Sequence, residues 1–224
     1  MRVRVVVAVT DSNPVRLVIV DDHQIFSASL ARLLEDDADL TVAAVADSLA
    51  SLPDVLDGHA PDLAVVDWQL GDGDGADVIG VLRRHRPSCK VLVLTGNLDD
   101  TTLRRAVAAG CDGFITKDRP PDELLDAIRA VGRGEVAYDA AALARVLGDG
   151  AGSPGPTVEL SDRELDVIRL LAQGCTNKQI AERLYLSPNT VRNHIHRISG
   201  KLGASSRLEV VVEASRLGLV ELPR

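Results

Sequence analysis

Between Val15 and Arg133, short apolar runs alternate with longer stretches in which apolar residues recur at helical spacing. Residues 17–20, 40–46, 63–66, 91–94 and 113–115 read as buried strands, and residues 24–34, 49–57, 76–84, 101–109 and 123–131 as amphipathic helices. Alternation of this kind predicts an α/β fold, a doubly wound five-stranded parallel sheet with helices on both faces. Ligands of such sheets gather at the carboxyl ends of the strands. A weaker helical stretch at residues 140–147 leads into a Gly/Pro/Ser-rich run at 148–156 that has nothing to pack and reads as a linker. From Leu160 the pattern is entirely helical. Capping-box spacings at Ser161/Glu164, Thr176/Gln179 and Ser206/Glu209, and the pair Ser187-Pro188, mark four helix starts and so an all-α four-helix domain. The expected organisation is an extension at 1–14, an α/β domain at 15–135, a connecting helix and linker at 136–157, and the helical domain at 158–224.

The chain has 224 residues, enough for two cores. Hydrophobic residues make up 46% and aromatics only 2%, so both cores must be built from Val, Leu, Ile and Ala. The net charge of -8 excludes a protein that coats nucleic acid along its whole length, but the charge is unevenly placed. Residues 156–224 carry 10 Lys/Arg against 8 Asp/Glu, a net of +2, which leaves -10 for residues 1–155. Within 176–207, six basic residues face only Glu182, a local basic stripe of the kind that contacts nucleic acid. Cys89, Cys111 and Cys175 are isolated, so neither a disulfide framework nor a zinc site is expected, and a reducing cytoplasm fits. No apolar run approaches the roughly 18 residues of a membrane span, and the apolar part of the start, Val5 to Val9, is too short for a signal peptide.

Asp21 and Asp22 follow the first predicted strand and Asp67 the third, while Thr95 ends the fourth and Lys117 the fifth. An acid after a strand commonly caps a helix, and Thr or Lys at a strand end is ordinary. The convergence of all five at one sheet edge carries the reading. Three carboxylates there repel one another and call for a divalent cation, and their hard oxygens suit magnesium. A phosphoryl group at Asp67 would meet the metal, the Lys117 ammonium and the Thr95 hydroxyl, which is the positioning and charge stabilisation that phosphoryl transfer needs. Asp67 is then the nucleophile that becomes an aspartyl phosphate. The run Asp72-Gly73-Asp74-Gly75-Ala76-Asp77 lacks the glycine and terminal Glu of a calcium loop and reads as a solvated turn, and His23 reads as an ordinary helix-start residue.

The segments VIVDDH, VVDWQLGDGDG, VLVLTG and GCDGFITKD resemble the marker segments of response-regulator receiver domains, over about residues 15 to 135. The resemblance implies a flavodoxin-like sheet and phosphorylation of Asp67 by a sensor histidine kinase. It implies a magnesium ion held by Asp22, Asp67 and the backbone carbonyl of Gln69, with Asp21 assisting through water. It further gives Thr95 and Phe114 the roles of switch hydroxyl and switch aromatic. Gly71 stands where the family usually has proline, so a looser and more negative loop is expected beside Asp67.

Residues 176–184 and 187–202 form two helices around a tight break at Tyr185-Leu186, which is helix-turn-helix spacing. Val191, Ile195, Ile198 and Leu202 form the core stripe of the second helix, and Asn189, Arg192, Asn193, His196 and Lys201 lie opposite. Arg, Asn and His reach base edges in the major groove, whereas Lys178, Thr190, Arg197 and Lys201 suit phosphates. His194 and His196 find no third metal ligand at suitable spacing. The segment from LSDRELDVIRLLAQGCTNKQIAERLYL to SPNTVRNHIHRISGKLGASSR resembles the LuxR-type helix-turn-helix nearly end to end. By position, Arg192, Asn193 and His196 then lie near bases, Lys178 and Thr190 near the DNA backbone, and residues 207–217 on a dimer surface. Ser199-Gly200 replaces the usual Leu and basic residue, and a helical Gly, about 1 kcal/mol worse than Ala, predicts a softer end to the recognition helix.

Together the two resemblances imply a NarL/FixJ-class response regulator, a cytoplasmic regulator of transcription and not an enzyme. Phosphorylation would control homodimerisation and binding to double-stranded promoter DNA. One alternative keeps the DNA module but makes the receiver-like domain a phosphorylation-independent platform controlled by a ligand or by dimerisation. A magnesium phosphohydrolase is a second alternative, against which stands the lack of a second catalytic acid.

Overall fold

The structure, a computed structural model, describes residues 13–96, 99–138 and 158–220. The predicted extension and the helix predicted at 140–147 with its linker lie outside the described residues, apart from Asn13 and Pro14. In chain order the elements of the first domain are β1 (Val15–Val20), α1 (Gln24–Glu35), β2 (Leu40–Ala46), α2 (Leu52–Gly58), β3 (Leu63–Asp67), the short strands β4 (Gln69–Leu70) and β5 (Gly73–Asp74), α3 (Gly75–His85), β6 (Lys90–Thr95), α4 (Asp100–Ala108), β7 (Gly113–Thr116) and α5 (Pro121–Gly132). The second domain holds α6 (Asp162–Ala172), α7 (Asn177–Leu184), α8 (Pro188–Leu202) and α9 (Arg207–Arg216).

Five strands form one parallel sheet in the order β2-β1-β3-β6-β7. Strand direction alternates side chains between its faces. Val18, Val20, Ala64, Val66, Val91 and Val93 therefore pack on one side with α2, α3 and α4, and Leu17, Ile19, Leu63, Val65, Leu92 and Leu94 on the other with α1 and α5. Burial on both faces is why the central strands read as unbroken apolar runs. Register decides what lies at the sheet's carboxyl edge. Val20 pairs with Val66, Asp67 with Leu94, and Thr95 with Thr116, so Asp21, Asp67, Thr95 and Lys117 arrive at one level. The chain reverses its direction of winding between β1 and β3, the place where such sheets open a crevice. After α5, Val136 and Tyr138 still pack on the first domain, and Ala137 accepts a hydrogen bond from the Phe114 backbone.

The helical domain closes on Val167, Ile168, Leu171, Ile180, Val191, Ile198, Val210 and Val211. Its helix starts are those the capping residues predict: Ser161, Thr176, Ser187 and Ser206 each accept a backbone N–H. Ser161 and Glu164 form a complete capping box, and Glu164 also receives the Lys201 ammonium at 2.7 Å. That ammonium, with the Ser161 N–H, lowers the Glu164 carboxyl from 4.5 to about 2. Because the folded value is depressed, this contribution to stability is complete above 4.5 and is lost as pH falls toward 2. Glu164→Gln is expected to cost about 1–2 kcal/mol at pH 7, read by urea unfolding, and its deficit relative to wild type should shrink below pH 4.5.

The two domains touch. Leu208 and Val212 of α9 join the apolar cluster of the first domain, and the Ser206 hydroxyl donates to the Cys111 carbonyl at 2.9 Å. Gly110 makes the approach possible. Its φ of +90 suits glycine, and a Cβ there would stand 2.7 Å from the Ser205 hydroxyl. Among the described residues no helix is long and apolar enough to cross a membrane.

Candidate functional site

At the carboxyl edge of the sheet, ligand atoms of Asp21, Asp22, His23 and Asp67 lie within 4.8 Å of one another. Asp21 and Asp67 are buried, at 2% and 3% exposure, while Asp22 stands at the rim. The Lys117 ammonium, delivered by the end of β7, bridges the two buried carboxylates at 2.7 Å from Asp21 and 2.8 Å from Asp67. It also lies 4.5 Å from the centre of the Phe26 ring, a cation–π contact that fixes its approach. Thr95 is buried at the end of β6, and Phe114 is buried in β7 beside Tyr138, with ring centres 6.5 Å apart. The sheet thus brings Asp21, Asp22, Asp67 and Lys117 together, with the Thr95 carbonyl accepting the Lys117 N–H at 2.8 Å and Phe114 buried in β7.

Two features of the pocket escaped sequence reasoning. His23 does stand at the start of α1, but its Nδ1 approaches Asp22 at 3.0 Å, Asp21 at 3.3 Å and Asp67 at 3.6 Å, so it belongs to the acidic cluster. The signal available was its position directly after two pocket acids. Trp68, the chain's single tryptophan, is buried immediately after Asp67. Gly75 packs on its ring so closely that a Cβ would stand 2.5 Å from it. Arg105 of α4 lies over the ring at 5.4 Å and pairs with Asp74 at 2.5 Å, which ties the pocket to α4.

The loop after Asp67 keeps its acids and is shaped by backbone pairing. Gln69–Leu70 and Gly73–Asp74 pair as an antiparallel hairpin. The Gly71 N–H donates to Asp22 at 2.8 Å, and Asp72 turns away to accept the Leu49 and Ala50 N–H groups, which lower its carboxyl pKa. Helix α2 starts at Leu52, three residues later than the pattern predicts. Asp74 caps α3 and exchanges bonds with Asp77, so the acids of this turn serve the backbone. The Gln69 N–H donates to Asp67 at 3.3 Å.

In the helical domain, Tyr185 makes the break between α7 and α8 with a left-handed φ of 54, and its side chain is 96% exposed. Lys178, Arg192, Asn193, His196 and Arg197 are exposed, and Thr190 sits at the first turn of α8, bonded to Ser187. Lys201 is held by Glu164 and by the Glu159 carbonyl. Helix α8 runs through Gly200 to Leu202 and ends at the left-handed Gly203. Arg192, Ile195, His196 and Ser199 face the first domain across a cleft of about 500 Å³, opposite Arg83, Lys90 and Arg133.

Comparison with known proteins covers both domains. Residues 17–129 match the family model for the response regulator receiver domain, and residues 158–214 the model for bacterial regulatory proteins of the luxR family. The DNA-binding transcriptional activator DevR/DosR of Mycobacterium tuberculosis is 36% identical over 206 residues, covering 91% of this chain and 95% of that protein. The nitrate/nitrite response regulator protein NarP of Escherichia coli is 32% identical over 204 residues, covering 90% of this chain and 95% of NarP. Among solved structures, the two-component response regulator RcsB in complex with DNA shares 25% identity at a TM-score of 0.55, covering 92% of this chain and all of that one.

Proposed function

Because the chain belongs to the NarL/FixJ class of response regulators, DNA-binding regulators of transcription that join a receiver domain to a LuxR-type helix-turn-helix, we propose that a sensor histidine kinase phosphorylates Asp67 and thereby controls dimerisation and promoter binding. The observation that carries the proposal is the Lys117 bridge between two buried carboxylates at the sheet's crevice. A carboxylate oxygen of Asp67 attacks phosphorus, the bond from phosphorus to the kinase imidazole nitrogen breaks, and the ring, already protonated on its other nitrogen, takes the electron pair and leaves as neutral imidazole. Lys117 holds one oxygen of the transferred group and the Thr95 hydroxyl another, both on rigid strand ends. Asp22, Asp67 and the Gln69 carbonyl would hold a magnesium ion, with Asp21 acting through water, and when bound it supplies positive charge to the phosphoryl oxygens. The clustering of their hard oxygen donors supports that assignment. The protein works in the cytoplasm, where its kinase and DNA partners meet.

DNA recognition falls to α8. Arg192, Asn193 and His196 read base edges in the major groove, and Lys178, Thr190, Arg197 and Lys201 contact the phosphate backbone. Docking of the two domains supports reading this arrangement as the off state. The α8 face is turned toward the receiver, and Leu208 and Val212 of the proposed dimer helix α9 are covered by it. Phosphorylation acts by favouring separation, and Trp68 with Arg105 connects Asp67 to α4, the helix against which α9 lies.

Incubation with a small phosphodonor and magnesium is expected to add one acid- and base-labile phosphoryl group to the wild type and none to Asp67→Ala, as read by intact mass. Trp68 fluorescence should change saturably with magnesium in the wild type and stay flat in Asp67→Ala. A phosphorylated Asp67→Ala would place the acceptor elsewhere.

A further inference from the structure

The interdomain cleft is unusually positive for a protein of net charge -8. Arg83, Lys90 and Arg133 line it from the receiver, and Arg192 and Arg207 from the helix-turn-helix. Against these five cations the lining offers one carboxylate, Asp112, which already receives Arg83 at 3.3 Å and Lys90 at 3.1 Å. Arg192 donates to the Asn189 side chain, and Arg207 to the Asn177 side chain and the Cys175 carbonyl, all neutral acceptors. Arg207 is only 7% exposed, and its Nε has no acceptor; neither does the buried Nε of Arg83. Arg133 is paired outside the cleft's centre, with Glu135 at 2.8 Å.

Closing the domains therefore brings two cationic faces together. Like charges at this range repel. A ligand with several anionic oxygens removes that repulsion, because guanidinium forks match phosphate oxygens and the volume of about 500 Å³ admits a small molecule. We propose that this cleft is a binding site for a small polyanion of the pyrophosphate or phosphate-ester class, which bridges the domains and competes with DNA for Arg192. Such a ligand would make the off state responsive to a metabolite independently of Asp67.

The test is calorimetric titration of sodium pyrophosphate into the full-length, metal-free, unphosphorylated protein at fixed ionic strength. One saturable site per chain is expected, weakened roughly tenfold in the Lys90→Gln/Arg133→Gln double variant. Arg133→Gln alone, at an exposed position, should weaken it in the same direction and guards against a folding defect. Absence of saturable binding, or binding by both variants as tight as by the wild type, overturns the site. A second readout is inhibition by pyrophosphate of binding to a duplex selected from a random-sequence pool. The wild type should be inhibited at concentrations matching the calorimetric midpoint, and the double variant only at several-fold higher ones. Lys90 and Arg133 lie on the receiver, so equal inhibition of both proteins would mean ionic screening of DNA contacts alone and would overturn the competition.

Discussion

Lys117→Met is expected to lower the stability of the metal-free protein by about 3 kcal/mol and to slow phosphoryl uptake from a small donor on the order of a hundredfold. The side chain is 17% exposed and bridges Asp21 and Asp67, both almost fully enclosed. Its removal leaves neighbouring carboxylates without their internal cation, and methionine fills the same volume without supplying charge. Packing loss is therefore small and the deficit is electrostatic. A divalent cation binds the folded pocket and not the unfolded chain, so magnesium should restore part of the lost stability. Urea unfolding with and without magnesium, beside single-turnover phosphorylation, measures both effects. A variant as stable as wild type without metal would mean that the three acids do not need the ammonium.

Gly110→Asn is expected to raise DNA affinity of the unphosphorylated protein by about tenfold. Asparagine is among the residues that best tolerate a left-handed backbone, so the receiver itself pays only modest strain. The interface fares worse, because the new Cβ would stand 2.7 Å from the Ser205 hydroxyl and the amide would extend further. Overpacking of this kind penalises the closed arrangement by about 1–3 kcal/mol, and a tenfold shift in population needs only about 1.4 kcal/mol. The substitution leaves α8 and α9 unaltered, so a gain reports release of the helix-turn-helix and not a new DNA contact. Fluorescence anisotropy with a selected duplex reads it. Unchanged affinity would show that the docked arrangement does not limit access to DNA.

The pocket was legible in the sequence because its residues occupy strand ends. Once Leu17–Val20, Leu63–Val66 and Val91–Leu94 read as buried parallel strands, the polar residue that follows each must lie at the sheet's carboxyl edge. The helix starts were legible for a similar reason, since Ser161, Thr176, Ser187 and Ser206 satisfy local N–H groups. Features that depend on distant partners were not. Asp72 looks like added negative charge beside Asp67 until its bonds to Leu49 and Ala50 are known. The ion pair that Lys201 makes with Glu164 spans 37 residues, and no local pattern announces it. Leu208 and Val212 sit four residues apart, the spacing of any helix core, and nothing local distinguishes packing on their own domain from packing on the receiver.

Whether charge at Asp67 governs DNA binding is decided by the duplex affinity of the full-length protein with and without a small phosphodonor and magnesium, in the wild type and in Asp67→Ala. The donor should tighten binding by the wild type and leave Asp67→Ala unmoved at its weaker affinity. Equal affinity in all four conditions, or the same tightening in Asp67→Ala, would contradict it and make the receiver a platform that acts without phosphorylation.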